Sequence, residues 1–285
     1  MNQQNDRDPL APFQERAEKN IQENPFYNLP PTSPQSPSES TPIPPAPQAV
    51  LVQMPERKPL VTYAIMALTI LVYLLQMGSE YLTGNDLPAL FGLKINELIV
   101  RGQYWRLISP VLLHGSIMHL LVNMYALNVF GPNLEKTWGH WRYLALYLIG
   151  GLGGNVASFI FSTAASLGSS TAIFGLLGAE GVFLYQNKKI FGRGAQRALA
   201  NLVTIALINL VIGLSPGIDN WGHVGGLLGG VALSWFAGPI LHVEGVFPSL
   251  KLVDGRESGD FWRAAIVVTL LLIGIAAGMI YLRGG

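Results

Sequence analysis

The sequence contains no cysteine among its 285 residues, and only 12% of them are charged. The absence of cysteine excludes disulfides, thiolate metal sites and cysteine nucleophiles. The scarcity of charge excludes an ordinary soluble domain, in which about a quarter of the residues are charged. The formal net charge is +1, so the composition indicates no nucleic acid or other polyanionic partner. Because the first residues are polar, we expect no cleavable signal peptide.

Long apolar runs dominate the chain after its first 58 residues. Residues 1–58 are rich in proline and serine between Pro30 and Pro47, and we expect them to form a disordered cytoplasmic tail. Each later run is close to the roughly 20 residues that a helix needs to cross a bilayer. Since a backbone in lipid must satisfy its own hydrogen bonds, these runs predict helices. The seven runs lie at 60–78, 111–131, 141–162, 170–187, 197–214, 221–241 and 264–282.

The basic residues predict the orientation of these helices, because lysine and arginine are typically retained on the cytoplasmic side. With the amino terminus in the cytoplasm, the segments outside hold only Lys94, Arg101, Arg106 and Arg283. All other lysines and arginines then lie inside. We therefore predict a multi-pass integral membrane protein of the bacterial plasma membrane, with its amino terminus in the cytoplasm and its carboxyl terminus outside.

Polar side chains lie at one depth in three of the predicted helices. Helices two, four and six all run from outside to inside. His119 and Asn123 are in the first half of helix two, Ser170 begins helix four, and His223 is near the start of helix six. Residues that are distant in the sequence are therefore predicted to meet in the outer half of the bilayer.

The types of these residues suit a serine nucleophile. A serine at a helix start is either a cap or a nucleophile, and a nucleophile needs a base and an oxyanion site. His223 is the candidate base for Ser170. His119 and Asn123 are at i and i+4 on one helix face, and both carry N–H donors for an oxyanion. Phe174, one turn after Ser170, is placed to pack against the imidazole of His223.

Glycines predict close contact between the helices that carry these residues. Gly222, Gly226 and Gly230 recur at every fourth position of helix six. Such faces of small residues let membrane helices approach closely. Gly175 and Gly178 of helix four are candidates to receive this face.

Two acidic residues lie near the candidate site in the sequence. Asp219 is four residues before His223. A third triad member is one interpretation of it, and the N-cap of helix six is the interpretation that we favour. Glu180 lies about 15 Å below Ser170 along helix four. We assign Glu180 no catalytic role.

The motifs around these residues resemble those of the rhomboid family of intramembrane serine proteases. The resemblance covers about Leu60 to Ala237. It implies an all-α polytopic membrane fold, with a six-helix core at 59–241 followed by a cytoplasmic loop and a seventh helix at 242–285. The motifs that carry it are Trp105-Arg106, His119-x-x-x-Asn123, Glu135 with Gly139, Gly168-x-Ser170 followed by Ala172-Ile173-Phe174-Gly175, and Gly222-His223-Val224-Gly225-Gly226.

The resemblance also implies an activity and a site. It implies a Ser170–His223 dyad without a catalytic acid, and an oxyanion site formed by His119, Asn123 and the Ser170 backbone. The expected substrates are transmembrane proteins, cleaved near the outer membrane face, and neither a metal nor an organic cofactor is implied. Six further residues are expected to support the site, the last two as anchors of the first outer loop: Gly168, Phe174, Gly222, Gly226, Trp105 and Arg106.

One position departs from the family pattern and keeps alternatives open. The family usually has glycine directly after the nucleophile, where this chain has Thr171. Thr171 favours a catalytically inactive, rhomboid-like protein that binds membrane clients, whereas the presence of Ser170 and His223 argues against it. A small-solute transporter is a third hypothesis. It is disfavoured because the polar residues are confined to the outer half and no inverted repeat of broken helices is detectable.

Overall fold

The structure is a computed structural model that describes residues 57–284 together with Arg16, Lys19 and the pair Val52–Gln53. The predicted tail at 1–58 therefore lies almost wholly outside the described residues. Of the first 50 residues, only Arg16 and Lys19 are described, and both are helical.

Helices form most of the described chain, which confirms the predicted all-α polytopic class. The first loop between long helices contains two short helices, at Leu87–Gly92 and Asn96–Val100, and two 3₁₀ turns, at Tyr104–Leu107 and Ser109–Leu112. In chain order the helices are α1 (Leu60–Thr83), α2 (Leu87–Gly92), α3 (Asn96–Val100), α4 (Ile117–Trp138), α5 (His140–Phe161), α6 (Ser170–Gln186), α7 (Lys188–Ile212), α8 (Asn220–Ala237) and α9 (Ser258–Gly284).

Long helices occupy all seven predicted spans. Among the described residues, α1, α5, α7 and α9 are long and apolar enough to cross a membrane by length and composition alone. The other three, α4, α6 and α8, carry the polar site residues and many of the glycines. Most of the 17 residues of α6 are buried by its neighbours. Helix α6 is thus sheltered inside the bundle, where ionisable groups in membrane proteins are usually found.

Three helix starts differ by six residues or more from the predicted runs: those of α4, α7 and α9, the last of which begins at Ser258 and not at 264. Local features account for the first two. Helix α4 begins at Ile117 because the apolar residues before it form the second 3₁₀ turn. The side chain of Ser116 then caps the helix by accepting a hydrogen bond from His119 N at 3.1 Å. Helix α7 begins at Lys188, directly after α6, and it is broken at Gly192, where φ is 55° and ψ is −132°. A positive φ of this kind favours glycine.

Helices α5, α6 and α8 form the centre of the bundle and approach one another through glycine. A Cβ atom added to Gly175 of α6 would lie 2.7 Å from the Cα of Gly150 in α5. A Cβ on Gly230 of α8 would collide with the carbonyl oxygen of Gly175, and one on Gly226 would collide with that of Thr171. The glycine face of α8 is therefore its contact face with α6, as the spacing predicted.

The carboxyl end of α5 fastens both the first loop and α9. The buried Lys94 Nζ lies 3.3 Å from the carbonyl oxygen of Ser162, and Asn96 Nδ2 donates to the same oxygen at 2.8 Å. From α9, Arg283 donates to the carbonyl oxygen of Ile160 at 3.0 Å. Cationic groups at a helix carboxyl end are favourable because they meet its unpaired carbonyls and the negative end of its dipole.

Helix α9 is packed into the main core of the bundle. Phe261 is fully buried and contacts Trp138 of α4 edge to face, with ring centroids 6.0 Å apart. Ala265 and Val268 are buried in the same cluster. The seventh helix therefore completes the core that the six preceding long helices begin.

A three-stranded sheet lies near the beginning of α5, and the sequence reasoning did not anticipate it. The strands are β1 (Val52–Gln53), β2 (Leu241–Glu244) and β3 (Leu250–Asp254), in the order β1-β3-β2. β1 runs parallel to β3, and β2 runs antiparallel to it. The ion pair between Arg142 and Asp254, at 2.7 Å, joins the sheet to α5.

Candidate active site

Ser170 and His223 meet at the amino ends of two adjacent helices. Ser170 is the first residue of α6, and His223 lies in the first turn of α8. The distance between Ser170 Oγ and His223 Nε2 is 3.0 Å, which is a hydrogen bond. Since the Ser170 hydroxyl is engaged by the imidazole, it has the geometry of an activated nucleophile.

The His223 imidazole is stacked on an aromatic ring, and no carboxylate of the described residues is hydrogen-bonded to it. The ring of Phe174 stacks on it with centroids 4.3 Å apart and planes 8° apart. Within the described residues, the buried Nδ1 atom of His223 has no hydrogen-bond partner. Asp219 instead caps α8 by accepting from Gly222 N at 3.1 Å, and its second oxygen accepts from the Ser158 hydroxyl. The two side chains therefore form a hydrogen-bonded pair, and Asp219 has the capping geometry that we favoured.

The two candidate oxyanion donors lie beside Ser170 in the same cavity. Asn123 Nδ2 donates to the carbonyl oxygen of His119 at 2.9 Å, which leaves its second amide N–H for a ligand. The His119 ring lies against Gly168, where φ is +127° and an added Cβ would be 2.8 Å from the ring. Because Ser170 is the first residue of α6, its backbone N–H has no acceptor within the helix and is free to donate a hydrogen bond to a ligand. Donors from two helices thus lie near the Ser170 hydroxyl.

A cavity of about 690 Å³ surrounds these side chains. Its polar end holds Ser170, His223, His119 and Asn123, together with residues of the segment 162–167. The rest of its wall is largely apolar and comes from α4, α6 and α7, including Ile205 of α7. Small-molecule and peptide sites are usually mostly apolar clefts with a few convergent polar groups, as this cavity is.

Thr171, which departs from the family pattern, is accommodated by glycine on neighbouring helices. A Cβ on Gly154 of α5 would lie 2.5 Å from the Thr171 Cβ, and a Cβ on Gly222 would lie 3.0 Å from its methyl group. The larger side chain therefore occupies space that these glycines leave open. The hydrogen bond between Ser170 and His223 is formed with Thr171 in this position.

Trp105 and Arg106 fasten the first loop and do not line the cavity around Ser170. The Trp105 ring stacks on Phe91 at 5.2 Å, and its Nε1 donates to the carbonyl oxygen of the same residue. The Arg106 guanidinium donates to the carbonyl oxygens of Leu90 and Leu93 at 2.8 and 2.7 Å. Both contacts are those of structural anchors.

His114 lies beside the site, although the sequence reasoning gave it no role. Its ring meets the His119 ring edge to face at 5.0 Å, and its Nε2 atom is 3.4 Å from the hydroxyl of the buried Ser169. Burial, and secondly the neighbouring His119, lowers the pKa of His114 to about 4. Its imidazole is therefore neutral at pH 7. No spacing pattern in the sequence identifies it, because its neighbours are brought to it by the fold.

The neutrality of His114 predicts a loss of stability in acid. An unfolded histidine has a pKa near 6.5, so between pH 6.5 and 4 the unfolded chain binds a proton that folded His114 does not. The free energy of unfolding should fall as the pH drops through this window. We expect His114→Gln to have a smaller fall in Tm than the wild type between pH 7.5 and 5. Equal falls in the two proteins, measured by thermal denaturation in detergent, would contradict this role.

Comparisons with known proteins identify the family of this chain. Residues 101–240 match the family model of the Rhomboid domain. "Rhomboid protease GluP" of Bacillus subtilis (strain 168) is 37% identical over 225 residues, which cover 79% of this chain and 40% of that protein. "RHOMBOID-like protein 6, mitochondrial" of Arabidopsis thaliana is 38% identical over 217 residues, which cover 71% of this chain and 68% of that protein.

A further relative is "RHOMBOID-like protein 9, chloroplastic" of Arabidopsis thaliana, 33% identical over 66% of this chain and 47% of that protein. The chain thus spans less than half of the length of two of these relatives and about two thirds of the third. The matched part contains all four polar residues that converge in the cavity.

Proposed function

Because the chain belongs to the rhomboid family of integral membrane proteins, we propose that it is an intramembrane serine endopeptidase with Ser170 as nucleophile and His223 as base. The observation that carries the proposal is the 3.0 Å contact between Ser170 Oγ and His223 Nε2 in a cavity of the helical bundle. The substrates are transmembrane proteins. With the amino terminus in the cytoplasm, as the basic residues favour, the cleavage site lies towards the outer face.

Acylation begins when His223 Nε2 accepts the hydroxyl proton of Ser170. The Ser170 oxygen attacks the carbonyl carbon of the scissile peptide bond and forms a tetrahedral intermediate. Its oxyanion accepts hydrogen bonds from the Ser170 backbone N–H, the free amide N–H of Asn123 and His119. The His223 imidazolium then donates its proton to the leaving amine, and the carbon–nitrogen bond breaks.

Deacylation returns the dyad to its starting state. His223 takes a proton from a water molecule, the hydroxide attacks the acyl-enzyme, and Ser170 recovers its proton as the ester breaks. The polar end of the cavity, with His119, Asn123 and the segment 162–167, is where this water is held. Since a helix hides its carbonyls in hydrogen bonds, a substrate must unwind locally before attack. Substrates with residues that destabilise helices near the cleavage site are therefore expected.

Covalent labelling tests whether Ser170 is an activated nucleophile. We expect a fluorophosphonate probe to label the wild-type protein in detergent and to leave Ser170→Ala unlabelled. The matched control is Ser169→Ala, which removes the adjacent hydroxyl and should retain labelling. A protein that only binds membrane clients would not react with the probe. Labelling that persists in Ser170→Ala would therefore rule out the proposed nucleophile.

The oxyanion role of Asn123 predicts an effect on turnover. Removing one donor from an oxyanion hole lowers kcat by about 10²- to 10³-fold. We expect a loss of this size for Asn123→Ala, with KM little changed, because the donor acts mainly on the charge that develops in the transition state. Asn128→Ala, an exposed amide on the same helix, is the control. Initial rates of cleavage in proteoliposomes measure both, and a pure KM effect would contradict the assignment.

A further inference from the structure

A second cavity lies further along the seam between α4 and α6, away from the dyad. Its volume is about 330 Å³, near the lower end of the ~300–1,000 Å³ range of small-molecule sites. The cavity around Ser170 reaches Phe130 on α4 and Leu177 on α6, and the second one begins at Asn133 and Glu180 on the same helices. Phe191, near the beginning of α7, forms part of its wall.

Glu180 contributes a carboxyl group to this cavity from an otherwise apolar stretch of α6. Within the described residues it has no hydrogen bond and no ion pair. An ionisable group inside a membrane bundle is costly, and it usually has a partner or a function. The dyad does not use Glu180, since Ser170 lies ten residues earlier on the same helix. The carboxyl group is therefore available to a ligand.

The facing wall offers hydrogen-bond donors and a positive charge. Asn133 and Lys136, one turn apart at the end of α4, line the cavity with exposed side chains. In the described part of the chain, Lys136 pairs with no carboxylate, including that of Glu180. An acidic and a basic side chain thus line one cavity without being joined. A ligand that carries a cation and an anion a short distance apart complements both.

We propose that this cavity binds the headgroup of a phospholipid with a primary ammonium group, namely phosphatidylethanolamine. The ammonium donates hydrogen bonds to the Glu180 carboxylate, and the phosphate accepts them from Lys136 and Asn133. Phe183 and Phe191 supply the apolar wall against which the glycerol and first acyl carbons pack. The exposed residues on α4 leave the cavity open to lipid from the bilayer. The inference does not depend on proteolysis.

The chemistry of the headgroup separates this lipid from its relatives. A primary ammonium has three N–H donors for a carboxylate, as lysine has, whereas the trimethylammonium of phosphatidylcholine has none. Phosphatidylglycerol has the phosphate and lacks the cation. Glu180 should therefore select phosphatidylethanolamine, and Lys136 should contribute to the binding of all three lipids.

Native mass spectrometry of the full-length protein, incubated in detergent with equal amounts of the three lipids, tests the proposal. We expect the wild type to retain phosphatidylethanolamine preferentially. Glu180→Gln should lower that retention about tenfold, to the level of phosphatidylcholine. A tenfold change in affinity corresponds to the loss of one charge-assisted hydrogen bond. Lys136→Gln should lower retention of all three lipids. Glu97→Gln, which removes an exposed carboxylate on α3, should change nothing.

Several outcomes would overturn the proposal. Equal retention of the three lipids by the wild type would remove the selectivity, and unchanged retention in Glu180→Gln would remove its cause. Preferential retention of phosphatidylglycerol would assign the cavity to Lys136 and an anionic lipid instead. If Glu180→Gln does not fold, Lys136→Gln still tests the site, because Lys136 is exposed on α4 and its replacement should leave the fold intact. Wild-type retention of phosphatidylethanolamine in that variant contradicts the site. Since binding is the readout, a proteolytically inactive protein gives the same answer.

Discussion

Replacing His223 or Ser170 by alanine is expected to lower the cleavage of a transmembrane substrate by at least on the order of 10⁴-fold. Without the imidazole, Ser170 keeps its proton and is a weak nucleophile at neutral pH. Without the hydroxyl, no acyl-enzyme can form. The measurement is the rate of cleavage of a fluorescent reporter substrate, reconstituted with each variant in liposomes of one composition.

Two further variants are the controls for this cleavage assay. His242→Ala removes an exposed histidine on β2, outside the cavity, and should cleave at the wild-type rate. The double variant of Ser170 and His223 should be no slower than either single variant, because residues that act as one unit lose their effect together. Additive losses would contradict a shared step. Cleavage by either single variant near the wild-type rate would remove the dyad as the mechanism.

The second large effect is expected from Gly230→Ala on α8. The added Cβ would collide with the Gly175 carbonyl oxygen, so α6 and α8 must move apart. Overpacking of a tight contact costs roughly 1–3 kcal/mol of unfolding free energy. Because these helices carry Ser170 and His223, their separation also lengthens the hydrogen bond of the dyad. We therefore expect a lower Tm together with a large loss of fluorophosphonate labelling.

Glycines elsewhere in the membrane part provide matched controls for this change. Gly274 and Gly278 of α9 have open space where a Cβ would be placed. Alanine at either position should leave Tm and labelling close to wild type, or raise Tm slightly through higher helix propensity. A fall in Tm as large as that of Gly230→Ala would show that alanine destabilises the bundle at any glycine, and not specifically at the contact between α6 and α8. Tm and labelling in one detergent are measured for all three variants.

The sequence predicted the helical class and the meeting of the site residues because a membrane restricts the choices. Apolar runs near 20 residues must be helices, and parallel helices place Ser170 and His223 at matching depths. The start of α4 was predicted too early since Val111 and Leu112 are as apolar as the helix and only the fold shows their 3₁₀ turn. Apolarity alone does not distinguish these two conformations.

What the sequence could not predict depends on contacts between distant residues. The parallel pairing of Val52 with Leu250 joins parts of the chain that are far apart, and a strand of two residues leaves no periodic pattern. The environment of His114 is created by Ser169 and His119 only after folding. Likewise, Gly154 becomes the complement of Thr171 only when α5 and α6 are side by side.

The position of α9 restricts how a substrate can approach. Phe261 and Arg283 hold this helix against the core near Trp138 and against the carboxyl end of α5, so it covers the flank that α5 and α8 would otherwise present to lipid. The cavity around Ser170 is walled on its other flank by α4 and α7. Lateral diffusion in the bilayer can therefore deliver a substrate helix to the nucleophile from one direction, and a photocrosslinker on α7 should capture it where one on α9 does not.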